Sequence, residues 1–279
     1  MQKSFLRETA GVIMRAAVVV LTIVVVLLSI SALYEVELGI SDGSCNIAVL
    51  PIEGAILPYH GLAGYDLVIS PEAVGSFMAT VEEDGNIHGV MIEINSPGGT
   101  PVASERIAER LRNSPLPVVG LVGDIAASGG YMVAAASDYL IASPMSDIGS
   151  IGVTMSYIEE SKKNEEEGLT YVQLTTGEYK DIGSPNRPIT DSERELLQTD
   201  LETIHDEFVS IVAEYRDMEV SEVDALADGS TMLGQRAVDA GLIDSLGSRA
   251  EAKSIFAEIL ETDIENISFC EYKNSFLPF

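Results

Sequence analysis

From Asn46 onward, short apolar runs of strand character alternate with amphipathic stretches of helical spacing, and this alternation restricts the fold most. "NIAVLPIEG" (Asn46–Gly54) reads as a buried strand, and "SPEAVGSFMATVEED" (Ser70–Asp84) as a helix opened by Ser before Pro. "HGVMIEINSPGG" reads as a strand ending in a Gly-rich turn, and "TPVASERIAERLRNS" as a helix. "PVVGLVGDIA" follows as a strand, "SGGYMVAAAS" as a helix, and "DYLIAS" and "SIGVTMS" as short strands. Elements in this order bury their apolar faces together by laying helices on a mainly parallel sheet, an α/β domain. Beyond Glu159, "TYVQLTT" is strand-like and "GEYKDIGSPNRPIT" is a Gly/Pro-rich loop. A long amphipathic helix runs from Asp191 to Tyr215, capped by Thr190 or Asp191, and short helices around one strand follow. No repeat or boundary divides residues 46–263, which read as one domain; 264–279 reads as a tail.

Ahead of this domain, Ala16–Leu33 carries no charge over eighteen residues. As a helix it extends about 27 Å, close to the hydrocarbon thickness of a bilayer. It is too long for a cleaved signal and no small-residue cleavage site follows, so residues 12–33 read as an anchor. Residues 1–11 precede it and a short linker, 34–45, follows. Lys3, Arg7 and Arg15 precede the span while Glu35, Glu37 and Asp42 follow it. The positive-inside rule then places the N-terminus in the cytoplasm and the domain outside a cell membrane.

The formal net charge of −28, from 44 acidic against 16 basic residues, excludes nucleic acid as a natural partner. Cys45 and Cys270 belong to no metal-ligand spacing, so zinc and thiol redox chemistry have no footing. The two thiols either pair in an oxidising compartment or stay apart; the sequence leaves both open.

Two Gly-rich segments fall at the carboxyl ends of expected strands, where sites form in open α/β sheets: "NSPGG" (Asn95–Gly99) and "AASGG" (Ala126–Gly130). Small residues crowd Ser128, as close approach of a substrate backbone requires. Adjacent turns would bring the Gly99 and Gly129 amides together beside Ser128 as an oxyanion hole. A serine nucleophile needs a base. His60, His88 and His205 fall in no triad motif. Among the lysines, Lys180 stands apart because a Gly/Pro loop surrounds it. A lysine acts as base only when neutral, so burial must bring its ordinary pKa of about 10.4 down.

"INSPGG", "DIAASGGYMVAAASDYLIASPMSDIGSIGV" and "GEYKDIGSPNRPITDSER" together resemble the signal peptide peptidase A family of membrane-anchored serine proteases, in its short single-repeat form. The resemblance covers nearly all of residues 46–248. It implies a ClpP/crotonase-like fold and a Ser-Lys dyad without metal or cofactor. By motif position it makes Ser128 the nucleophile, Lys180 the general base and Ser150 the residue that orients the lysine amine. Gly129 matches one oxyanion donor, with Gly99 rather than Gly98 as the other. It further implies cleaved signal peptides and unfolded polypeptides as substrates, and a ring-shaped homo-oligomer with the site at subunit junctions. The rivals are a crotonase-type acyl-CoA lyase or isomerase, a Ser-His-Asp protease, and a non-enzymatic membrane scaffold.

Overall fold

The computed structural model describes residues 43–59 and 67–270, with Met14, Val18, Leu21, Thr22 and Val24. The expected anchor and the residues flanking it, apart from those five positions, lie outside the described residues, as do His60 and residues 271–279. Among the described residues no helix is long and apolar enough to cross a membrane.

Nine strands form one sheet among the described residues. Its spine runs β2 (Val68–Ile69), β1 (Ile47–Ile56), β3 (Gly89–Gly99), β4 (Val118–Ala127), β5 (Tyr139–Ala142), β8 (Ser245–Leu246), with every neighbour parallel. Along β4 the partner changes: Val119–Val122 pairs with β5, whereas Ile125–Ala127 pairs with β6 (Asp147–Gly149). β7 (Thr231–Leu233) lies antiparallel to β6, and β9 (Phe269–Cys270) is parallel to the start of β1. This is the mainly parallel α/β architecture that the alternation requires.

Burial follows the period of two. Ala48, Leu50 and Ile52 of β1 join Val90, Ile92 and Ile94 of β3 in the larger core. That core is closed by α1 (Pro71–Glu83), α2 (Pro101–Arg112), α3 (Gly129–Ala135) and part of α5 (Asp191–Tyr215). Ile47, Val49 and Met91 face the other way, against Phe256 of α8 (Arg249–Ile259). Two covered faces explain why β1 opens with four buried residues in a row. Helix α1 starts where Ser70 Oγ accepts the Ala73 amide at 3.3 Å, with Pro71 at its first position. Its buried Val74, Phe77, Met78 and Val81 keep the spacing of one helical face, each contributing about 1.5–3 kcal/mol. Helix α5 spans the expected residues and takes Thr190, not Asp191, as its cap in a reciprocal capping box with Glu193.

Several expectations are corrected. "NSPGG" is not a turn: β3 continues through it, pairing Gly98 and Gly99 with Ala55 and Ile56 after an irregularity in β1 at Glu53–Ala55. "SIGVTMS" forms no strand. The strand lies earlier, at β6, and ends at Gly149, just before Ser150, whose φ of +51° turns the chain out of the ladder. "TYVQLTT" is fully exposed and forms no strand, because it meets no sheet edge among the described residues to satisfy its amides. Beyond α5 come α6 (Val220–Asp224) and α7 (Gly234–Asp239), with two short strands, β7 and β8, in place of one. The presumed tail begins inside the fold: after a 3₁₀ turn at Ile264–Asn266, β9 joins the sheet and Cys270 is disulfide-bonded to Cys45, with Cα atoms 5.1 Å apart.

Candidate active site

Ser128 joins the end of β4 to the start of α3. Its φ of +52° and ψ of −128° lie outside the regions open to an ordinary L-residue. Among the described residues only Ser128, Ser150, Asp217 and Glu261 are non-glycine positions at positive φ. Ser128 and Ser150 line the same cavity, of about 710 Å³. Strained backbone at functional sites costs on the order of 1–3 kcal/mol per residue and persists where surrounding contacts over-determine it. Here the contacts are the Ser128 amide donating to Gly149 O at 2.8 Å, and the Ser128 carbonyl accepting from the Tyr131 and Met132 amides.

The small residues around Ser128 work differently from the expectation that they make room for substrate. Ala126 and Ala127 are buried in the sheet. A Cβ on Gly129 would come within 2.1 Å of Ser104 Oγ, and one on Gly130 within 2.5 Å of Ser96 O. Gly129 and Gly130 therefore let α3 dock on α2 and β3. The glycines that line the cavity are Gly98, Gly99, Gly152 and Gly229.

Gly98 and Gly99 line the same cavity as Ser128. A Cβ on Gly98 would lie 2.7 Å from Gly129 N and 3.0 Å from Ser128 Cβ, and the glycine itself has φ +95°. The Gly98 amide donates to Ser96 Oγ at 3.1 Å. The Gly99 nitrogen lies 3.3 Å from where a Gly129 Cβ would sit, so β3 packs closely against the start of α3 beside Ser128.

Ser150 is tied to a turn before β7. Its amide donates to Ser230 O at 2.8 Å and its hydroxyl to Gly229 O at 3.0 Å. Lys180 is not in the cavity of its own chain. It sits in an exposed turn closed by its own amide to Gly177 O, and none of its atoms lines the space before Ser128. The turn is braced from behind. Arg187 donates to Glu193 Oε2 at 2.8 Å, to Asp181 Oδ2 at 3.3 Å and to Asp181 O at 3.0 Å, and Tyr171 OH donates to Asp181 Oδ2 at 2.8 Å. The guanidinium, aided by the Thr190 amide, lowers the Glu193 carboxyl to about 2.

Sequence reasoning missed His205. It projects from α5 into the lining of the cavity, half-buried, with Asp228 also in the wall. Its place on a long acidic helix, far from Ser128 in the chain, carries no local signal of that position. His88 is exposed just before β3. Among the described residues no group of three or more His, Cys, Asp or Glu side chains is placed to hold a metal.

The pattern of peptidase family S49 matches residues 110–262, which include Ser128, Ser150 and Lys180. A candidate protease of Methanocaldococcus jannaschii is 36% identical over 69% of this chain and 62% of its own length. A candidate signal peptide peptidase, SppA, of Enterococcus faecium is 33% identical over 71% of this chain and 58% of its own. This chain thus spans about three fifths of each of these relatives. A solved structure of a ClpP1 mutant from Listeria monocytogenes superposes with a TM-score of 0.49 and 15% identity, over 72% of this chain and 91% of that one.

Proposed function

The chain belongs to peptidase family S49, and from that membership we propose that it is a serine endopeptidase with Ser128 as nucleophile and Lys180 as general base. Lys180 Nζ takes the Ser128 hydroxyl proton as Oγ bonds to the peptide carbonyl carbon. The resulting oxyanion accepts hydrogen bonds from the Gly99 and Gly129 amides. The C–N bond breaks as the lysine ammonium returns the proton to the leaving amine, giving an acyl-serine. The same amine then draws a proton from water, hydroxide attacks the ester, and Ser128 leaves with its proton restored. Ser150 accepts a hydrogen bond from the amine and points it at Ser128. No step calls on a metal or cofactor.

The observation carrying this reading is the strained Ser128 in one cavity with Gly98, Gly99 and Ser150. The place of Lys180 supports an assembly in which the neighbouring subunit supplies the amine. The segment that bears it, residues 153–182, exposes Met155, Ile158, Leu169, Val172, Leu174 and Tyr179, with Ile158 79% and Leu174 93% exposed. An apolar surface of this kind belongs in an interface. Docking there would take the amine out of water, as a neutral base requires. A closed ring of such contacts has the site at each junction and admits extended chains.

Substrates in this reading are cleaved signal peptides and other unfolded or membrane-associated polypeptides, in line with the name of the Enterococcus faecium relative. The uncharged run at Ala16–Leu33 anchors the protein in the cell membrane, with the domain outside it. The Cys45–Cys270 disulfide supports an oxidising, extracytoplasmic setting.

One observation favours a second reading, in which His205, already at the cavity, is the base within one chain. Peptidase assays and labelling by a fluorophosphonate separate the two. Ser128→Ala abolishes labelling and hydrolysis in both. Lys180→Ala abolishes hydrolysis and His205→Ala spares it if the dyad is right. Hydrolysis that survives Lys180→Ala and is lost in His205→Ala establishes the histidine base. Hydrolysis that persists in Ser128→Ala sinks both.

A further inference from the structure

Ser150 has a hydroxyl proton to dispose of if its oxygen is to accept from an amine, and the turn at Asp228–Ser230 takes it. The Gly229 carbonyl accepts the Ser150 hydroxyl at 3.0 Å, and the Ser230 carbonyl accepts the Ser150 amide at 2.8 Å. In return the Gly229 amide donates to Ile151 O at 3.1 Å. Ser150 is thereby held at φ +51° by two hydrogen bonds of its own and one of Ile151 to one turn, and Gly149 just before it accepts the Ser128 amide. Within the turn, one carboxylate adds a further brace. Asp228 Oδ1 accepts the Ser230 amide at 2.8 Å and the Ser230 hydroxyl at 2.6 Å. These two bonds hold the Asp228 carboxyl below the ordinary carboxylate range, so it is an acceptor at neutral pH.

We propose that Asp228 is a positioning residue for the reaction: by fastening the 228–230 turn it fixes the Gly229 carbonyl that takes the Ser150 proton, leaving the Ser150 lone pairs free to accept from the catalytic amine. This rests on the Ser-Lys reading above, in which Ser150 orients Lys180. In this role Asp228 acts through Gly229 and Ser150 and not on the reacting atoms. The geometry makes the effect of Asp228 conditional on Ser150, since a turn that orients a hydroxyl has nothing to orient once the hydroxyl is gone.

The test compares Asp228→Ala, Asp228→Asn, Ser150→Ala and the double variant Asp228→Ala/Ser150→Ala in the full chain, with one peptide substrate. Asp228→Ala should lower kcat about tenfold, the size of one misdirected hydrogen bond, with KM within twofold. Asp228→Asn, which keeps an acceptor oxygen for Ser230, should recover most of that loss. The double variant should be no slower than Ser150→Ala, because the two act through one bond. Losses that multiply in the double variant, or a kcat within twofold of wild type in Asp228→Ala, overturn the proposal while leaving the dyad standing. Activity that survives Lys180→Ala instead defeats the underlying reading. Amide hydrogen exchange at Ser150 gives an outcome independent of catalysis. It should quicken in Asp228→Ala and not in Asp228→Asn, and unchanged protection in Asp228→Ala overturns the proposal whatever the enzyme does.

Discussion

A Cβ placed on Gly99 would lie 1.8 Å from the Ile56 carbonyl oxygen and 2.6 Å from its carbon, both backbone atoms of the paired strand. Neither can swing away, so Gly99→Ala must push β1 from β3 at the point where Thr100 also donates to Ile56 O. We expect a destabilisation of about 3 kcal/mol in chemical denaturation, with loss of hydrolysis, because the same displacement moves the Gly99 amide away from Ser128. Gly75, on α1, is the opposite case. Nothing lies within 4 Å of a Cβ there, and Ala is the better helix former. Gly75→Ala should raise stability by about 0.5–1 kcal/mol in the same measurement. A Gly99→Ala variant as stable as wild type would contradict the close β1–β3 approach. The two glycines look alike in a sequence; the nearest atom separates them.

Among elements, the segment from Tyr171 to the first turn of α5 behaves as a bracket for the Lys180 turn, and its pin is the Arg187–Glu193 pair. The Glu193 side chain is only 4% exposed and is ionised against Arg187 and the Thr190 amide. Its folded pKa of about 2 lies below the usual carboxylate value, so the folded state binds this proton less readily than the unfolded one. The stability this group provides is therefore complete above the ordinary carboxylate pKa of about 4.3 and is lost as pH falls from there toward 2. Thermal unfolding followed from pH 7 downward should show this acid limb, and Glu193→Gln should flatten it. An unchanged acid limb in Glu193→Gln would show that the bracket depends on other groups. Thr190→Ala, which removes the cap, should cost about 1 kcal/mol at neutral pH.

For the whole molecule, two closures deserve separate tests. The Cys45–Cys270 bond joins residues 225 apart in sequence and ties the residues leading into β1 to β9 beside it. Replacing both cysteines by serine should cost about 2–5 kcal/mol, read as a fall in the denaturation midpoint, since the open chain regains loop entropy on unfolding. The second closure is the assembly. Ser128→Ala and Lys180→Ala subunits are each inactive alone in the dyad reading. Co-assembled in a head-to-tail ring, roughly a quarter of junctions unite an intact serine with an intact lysine, and partial hydrolysis returns. Verified mixed rings as inactive as either parent would place serine and lysine in one subunit.

The sequence by itself determined the class of fold and the alternation of β1, β3 and β4 with their helices, because the period of apolar residues is a local property that fixes strand or helix and the face each must bury. It also determined the family, through segments around Ser128, Ser150 and Lys180 whose residue types are legible one after another. What it left to the tertiary structure was everything that depends on partners distant in the chain. "NSPGG" reads as a turn until Ala55 and Ile56 pair with it, and "TYVQLTT" reads as a strand although no edge receives it. Cys45 finds Cys270 because β9 returns to β1. That Gly129 and Gly130 are needed for the packing of α3 is a fact held in Ser104 and Ser96. His205 and Asp228 reach the cavity from elements that close over Ser128 only in the folded chain, and Lys180 stays outside it. Contacts of this kind are set by packing between segments, and no local pattern of residues encodes them.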